Sequence, residues 1–196
     1  DFTGNQVFKT NKLRDEMYLT TGNWLSWWFK DNQYSSDKLA GDIEKIRAFY
    51  LNQGYIDFRL NSIQVQLTPD KKSVYITVNL KEGAQYRYKS VKLAGDYRDI
   101  PVAELERLVT VKPGTIINQE VLNKNVEAIK TKIGDYGYAF ANVNPIPEVD
   151  AKDKTVAYTL FVDTGRKIYV RNINISGNDK TRDVVIRREL RQEEAA

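Results

Sequence analysis

The side chains that most often carry out chemistry are scarce in this sequence. Its 196 residues include no His and no Cys, so an imidazole base, a Ser–His or Cys–His nucleophile pair and a His metal site are excluded. A thiolate nucleophile, a thiolate-bound zinc and a disulfide go with them. Carboxylates remain, but pairs such as Asp42 with Glu44 and Glu193 with Glu194 fall on expected helix surfaces and read as solvated charge. There is no Gly-rich phosphate loop, Walker pattern or zinc spacing. No metal, no cofactor and no enzymatic activity are expected.

What the sequence does offer is backbone. In the stretch Ile56–Leu67, the residues Ile56, Phe58 and Leu60 share one alternation phase, while Ile63, Val65 and Leu67 share the opposite one. A strand cannot change its buried face without an inserted residue, so a β-bulge is expected at Asn61-Ser62. The corresponding later stretch contains Pro145 and Pro147, and proline confines a strand to a sheet edge. By that correspondence the earlier strand is also an edge, and it has no proline. Two readings fit it. The edge can take an extended peptide as an added strand through Ile56, Phe58, Arg59, Leu60, Asn61, Ser62, Ile63, Gln64, Val65, Gln66 and Leu67. Alternatively, Arg59, Asn61, Gln64 and Gln66 protect it together with the bulge. A second surface is the aromatic run holding Trp24, Trp27, Trp28 and Phe29. Such a cluster could anchor a partner, but a satellite core beneath a long loop is the preferred reading.

These surfaces need elements to hold them, and the elements repeat. Gly95-Asp96 and Gly177-Asn178 stand 82 residues apart, and Gly54-Tyr55 and Gly137-Tyr138 stand 83 apart. The breaks at Glu82-Gly83 and Thr164-Gly165 are again 82 residues apart. Only the step from Gly4-Asn5 to Gly95 is longer, at 91 residues, which places an insertion around Trp24 to Tyr34 in the first unit. Leu122, Val126, Ile129 and Ile133 map onto Leu39, Ile43, Ile46 and Tyr50, one helix face in each unit. Ser35 and Ser36 are expected to cap the first of these helices and Asn118 the second. Gly54 and Gly137 follow just past their ends.

Each unit opens with a strand, expected at Tyr88–Leu93 and Tyr169–Ile175. A short helix follows, at Lys12–Leu19, Ala103–Val109 and Arg182–Arg191. After the long helix come two more strands, the last one alternating cleanly as Val74, Ile76, Val78, Leu80 and as Val156, Tyr158, Leu160, Val162. The fold class is therefore α+β, with tandem β-α-α-β-β units that each pack two helices on a three-stranded mixed sheet. The expected domains are 1–84 with a truncated first strand, 85–165, and a partial third at 166–196. The chain is expected to be part of a longer one.

Composition agrees with a folded scaffold. Hydrophobic residues make up 41% and charged residues 29%, with 30 Lys+Arg against 26 Asp+Glu interleaved along the chain. A nucleic-acid module of the KH or RRM kind would need a Gly-x-x-Gly loop or an exposed aromatic sheet pattern, and neither is present. No nucleic-acid partner is expected.

The unit itself resembles a known family. Repeated β-α-α-β-β units of about 80 residues with Gly-Asn turns and Gly-Tyr strand entry are similar to POTRA (polypeptide-transport-associated) domains. The runs Tyr169–Gln192, Lys38–Arg47, Leu67–Lys72 and Tyr136–Ala139 resemble those of bacterial outer-membrane assembly factors. On that resemblance the units are similar to a third, a fourth and the start of a fifth POTRA domain. The resemblance implies a location on the periplasmic side of the outer membrane and a chaperone-like role in β-barrel assembly. Implied partners are unfolded outer-membrane β-barrel proteins, BamB-like and BamD-like lipoproteins, and a C-terminal barrel outside this sequence. It further implies a lipoprotein contact near Ile56–Leu67 and another at Glu189. A POTRA array of a two-partner secretion pore or an organelle import pore is the alternative within the family.

Overall fold

The computed structural model describes residues 1–17, 32–69, 74–169, 171–177 and 180–190. The first part of the chain holds β1 (Phe2–Thr3), α1 (Thr10–Asp15), α2 (Asn32–Asn52), β2 (Arg59–Leu67) and β3 (Val74–Lys81). The second repeats that order with β4 (Arg87–Asp96), α3 (Val102–Glu106), α4 (Gln119–Asp135), β5 (Asn142–Asp150) and β6 (Thr155–Asp163). A last helix, α5, spans Asp183–Glu189. The aromatic run with Trp24, Trp27, Trp28 and Phe29 lies outside the described residues.

The long helices form where the apolar spacing places them. Leu39, Ile43, Ile46 and Tyr50 are buried along α2, and Leu122, Val126, Ile129 and Ile133 along α4. Asn118 caps α4, its side chain accepting from Val121 N at 3.0 Å. The cap expected at Ser35-Ser36 is not one, because α2 already begins at Asn32. Both helices end in a left-handed glycine, Gly54 at φ +84° and Gly137 at φ +92°.

Two three-stranded mixed sheets result, ordered β1-β3-β2 and β4-β6-β5. The last strand is central in each, parallel to the first strand and antiparallel to the second. Its alternation buries Val78 and Leu80 in the first sheet, and Val156, Tyr158, Leu160 and Val162 in the second. Each sheet has its own apolar core against its helices. The strand expected at Tyr169–Ile175 does not form among the described residues. The first strands of the two sheets are held by the last strand of their own unit.

Candidate functional site

The edge strand β2 begins at Arg59, three residues later than the alternation suggested. Ile56 and Phe58 are therefore not part of it. Phe58 is buried in the first core, stacked on Tyr50 with ring centroids 4.4 Å apart, and Ile56 packs against the second core. The register between β2 and β3 shifts between Leu60 and Ser62, which is the bulge expected from the phase flip. The bulge places Leu60, Ile63 and Val65 opposite Leu80, Val78 and Ile76, all on the helix-facing side of the sheet.

Backbone direction on this edge follows from the other side of the sheet. Val78 N donates to Asp1 O at 2.9 Å, and the N-terminal ammonium donates to Ile76 O at 2.6 Å. The even-numbered residues of β3 thus turn their peptide groups toward β1. Peptide groups alternate in direction along a strand, so Tyr75, Thr77 and Asn79 turn theirs toward β2. Their register partners Gln66, Gln64 and Ser62 close that ladder, which leaves the N–H and C=O of Ile63 and Val65 pointing out of the sheet. Every residue from Asn61 to Gln66 is exposed. Ile63 keeps 37% of its surface accessible and Val65 46%, large values for the core-facing side of a sheet.

The second sheet has the same edge with different residues on it. Arg87 N donates to Lys154 O at 3.0 Å, so the even-numbered residues of β6 turn toward β4 and the odd-numbered ones toward β5. Pro145 and Pro147, opposite Leu160 and Tyr158, therefore occupy outward positions on β5. They stand 82 residues after Ile63 and Val65. At the two places where β2 presents N–H donors to solvent, β5 has none.

The remaining polar machinery positions these edges. Glu82, only 6% exposed, accepts from Gln6 N at 2.8 Å, Val7 N at 2.9 Å and the Tyr50 hydroxyl at 2.8 Å. It ties the loop after β1 to the end of β3. Burial and the bond to Glu82 together hold the Tyr50 hydroxyl firmly protonated, its pKa pushed up. This clamp was not foreseen from sequence, where Glu82 marks only a strand end.

The Gly-Tyr turns join one unit to the next. Tyr86 N donates to Gly54 O at 2.9 Å, and Ile168 N donates to Gly137 O at 2.9 Å. At the first junction the Tyr86 hydroxyl donates to Asp57 Oδ2 at 2.9 Å, and Asn52 Oδ1 accepts from Glu120 N at 2.9 Å. At the second, Asp99 accepts from the Tyr138 hydroxyl at 2.6 Å and pairs with Lys167 at 3.3 Å. The Tyr138 bond, with smaller help from Lys167, holds the Asp99 carboxyl below its usual range. The two carboxylates on the cleft between α2 and α4, Glu120 and Glu127, are exposed and bonded to Lys124 and Lys130. Glu189 is exposed at the end of α5.

Comparison with known proteins gives this architecture its family. The family model described as POTRA, surface antigen variable number repeat, matches residues 1–83 and again 86–165. The chain belongs to the POTRA family. Among POTRA-bearing proteins it is 41% identical over 196 residues to the outer membrane protein assembly factor BamA of Neisseria meningitidis serogroup B. That match covers 100% of this chain and 25% of the relative. It is 31% identical to the BamA of Buchnera aphidicola, covering 97% of this chain and 31% of that protein. The crystal structure of Haemophilus influenzae BamA POTRA3-5 superposes with a TM-score of 0.81 at 32% identity. It covers 100% of this chain and 76% of that one. The chain thus spans roughly a quarter to a third of the curated relatives' length.

Proposed function

We propose that this chain is a periplasmic POTRA segment of an outer-membrane protein assembly factor, made of units 1–84 and 85–165 and a partial unit 166–196. It works as a non-enzymatic scaffold. Unfolded outer-membrane β-barrel proteins are held on β2 as an added strand and passed toward a barrel outside this chain. The observation that carries this reading is the outward, unguarded backbone of Ile63 and Val65, set against prolines at the same two positions of β5. Contacts with BamB-like and BamD-like lipoproteins, near Arg59–Leu67 and at Glu189, belong to the same proposal. Binding is weak and exchangeable, because main-chain pairing confers little specificity and ordering an extended peptide costs entropy.

Val65→Pro tests it. The Val65 N–H is not used in the β2–β3 ladder, so the substitution deletes an outward donor while leaving the sheet intact. In an NMR titration with a peptide copied from a strand of an outer-membrane β-barrel, the wild-type amides of Arg59–Leu67 shift. Val65→Pro weakens that binding about tenfold or more. Unchanged affinity in a folded Val65→Pro protein contradicts the reading.

A further inference from the structure

We infer that β2 selects its added strand by side-chain alternation and by polarity. The favoured occupant has apolar residues at every second position and a carboxylate at its C-terminal end, and it lies antiparallel to β2. This rests on the strand-addition reading and specifies what that edge accepts.

The two faces of β2 differ after the bulge. Ile63 and Val65 point to the core side, where their neighbours Val78 and Ile76 are 2% exposed and half-buried, while Ser62, Gln64 and Gln66 point to the other. Ile63 and Val65 are also the residues whose backbone groups point outward. In an added antiparallel strand, the residues that exchange hydrogen bonds with them stand directly opposite, with side chains on the same face. The apolar core of the first unit is therefore open sideways at these two residues. A strand with apolar side chains in that phase extends the core by one column, and its alternate polar residues meet Gln64 and Gln66. A strand of the same composition without alternation either exposes its apolar residues or sets polar groups against Ile63 and Val65.

Polarity comes from charge. Arg59 and Lys81 are direct neighbours at the start of β2, both exposed, and no ion pair with either occurs among the described residues. Like charges directly opposite each other disfavour the pair, and an incoming carboxylate relieves that repulsion. From Leu60 to Leu67 the strand carries no charge at all. An antiparallel partner ends its run opposite Arg59, so a carboxylate at its C-terminal end meets the two cations. Placed at the N-terminal end, it would lie toward Leu67, where the following Asp70, Lys71 and Lys72 sum to +1 against the +2 of Arg59 and Lys81.

Three synthetic peptides of identical composition test this on the full chain, with amide shifts of β2 as the readout. The first alternates Val and Thr and ends in Glu, the second has the same end but its Val and Thr in blocks, and the third alternates but begins with Glu. The inference predicts that the alternating peptide ending in Glu binds about fivefold tighter than either of the others. Raising salt from low to high ionic strength should erase its advantage over the third peptide while keeping that over the second. Ile63→Thr/Val65→Thr, at two exposed positions, should erase the advantage over the blocked peptide. Equal affinity of all three, with shifts on β2, overturns the selection and leaves strand addition standing. Failure of all three to shift β2 overturns the selection together with the strand-addition reading.

Discussion

Ile63 and Val65 each combine an apolar side chain on the core side with peptide groups that face solvent outside the ladder. Their phase was legible from the sequence, because the flip between Leu60 and Ile63 requires a bulge. The direction of their peptide groups was not, because it depends on where Asp1 and Ile76 bond on the far side of β3. Glu82 was equally hidden. Its role comes from a loop more than seventy residues away in sequence, at Gln6 and Val7, and no local pattern announces it. Glu82→Ala should leave those two N–H groups and the buried Tyr50 hydroxyl without an acceptor. The expected loss is about 2–4 kcal/mol of unfolding free energy by urea titration. A loss below about 1 kcal/mol would mean that water or the surrounding loop takes over the bonds.

The elements are legible wherever apolar periodicity is long. α2 and α4 bury the residues assigned to them, and both edge strands lie at sheet edges, as the prolines of β5 required. Boundaries and isolated pieces are less legible. Ile56 and Phe58 keep the alternation of a strand, but one is drawn to the next unit's core and the other to a ring stack with Tyr50. Tyr169–Ile175 has the composition of a strand but forms none among the described residues. The turn after α2 had a clear signal in Gly54, and its reason is tighter than helix termination. At φ +84°, a Cβ there would come within 2.8 Å of both Ile116 Cγ2 and Tyr86 O, in the next unit. Gly54→Ala should cost about 1–3 kcal/mol and disturb the amides of Tyr86 and Ile116 together. Gly134→Ala, inside α4 with nothing within 4 Å of the added carbon, is the matched control. It should be neutral or stabilising by up to about 1 kcal/mol. Equal effects of the two substitutions would remove the junction role from Gly54.

Across the whole molecule, the repeat sets both what is alike and what differs. The same bond joins successive units, Tyr86 to Gly54 and Ile168 to Gly137, so the connection was built into the repeat along with the fold. The insertion around Trp24 lies outside the described residues. The two edges differ at a pair of positions, held by Ile63 and Val65 in β2 and by Pro145 and Pro147 in β5. A scaffold that works through backbone edges, as proposed above, needs neither His nor Cys, and the chain has none. The most direct test of that claim exchanges the guards. Two variants are compared with the wild type in an amide-shift titration with one β-barrel strand peptide, Ile63→Pro/Val65→Pro and Pro145→Ile/Pro147→Val. Strand addition at the unguarded edge predicts shifts on Arg59–Leu67 in the wild type, their loss in the first variant, and new shifts on Asn142–Asp150 in the second. Shifts that stay where they were in both variants, with both proteins folded, would contradict it.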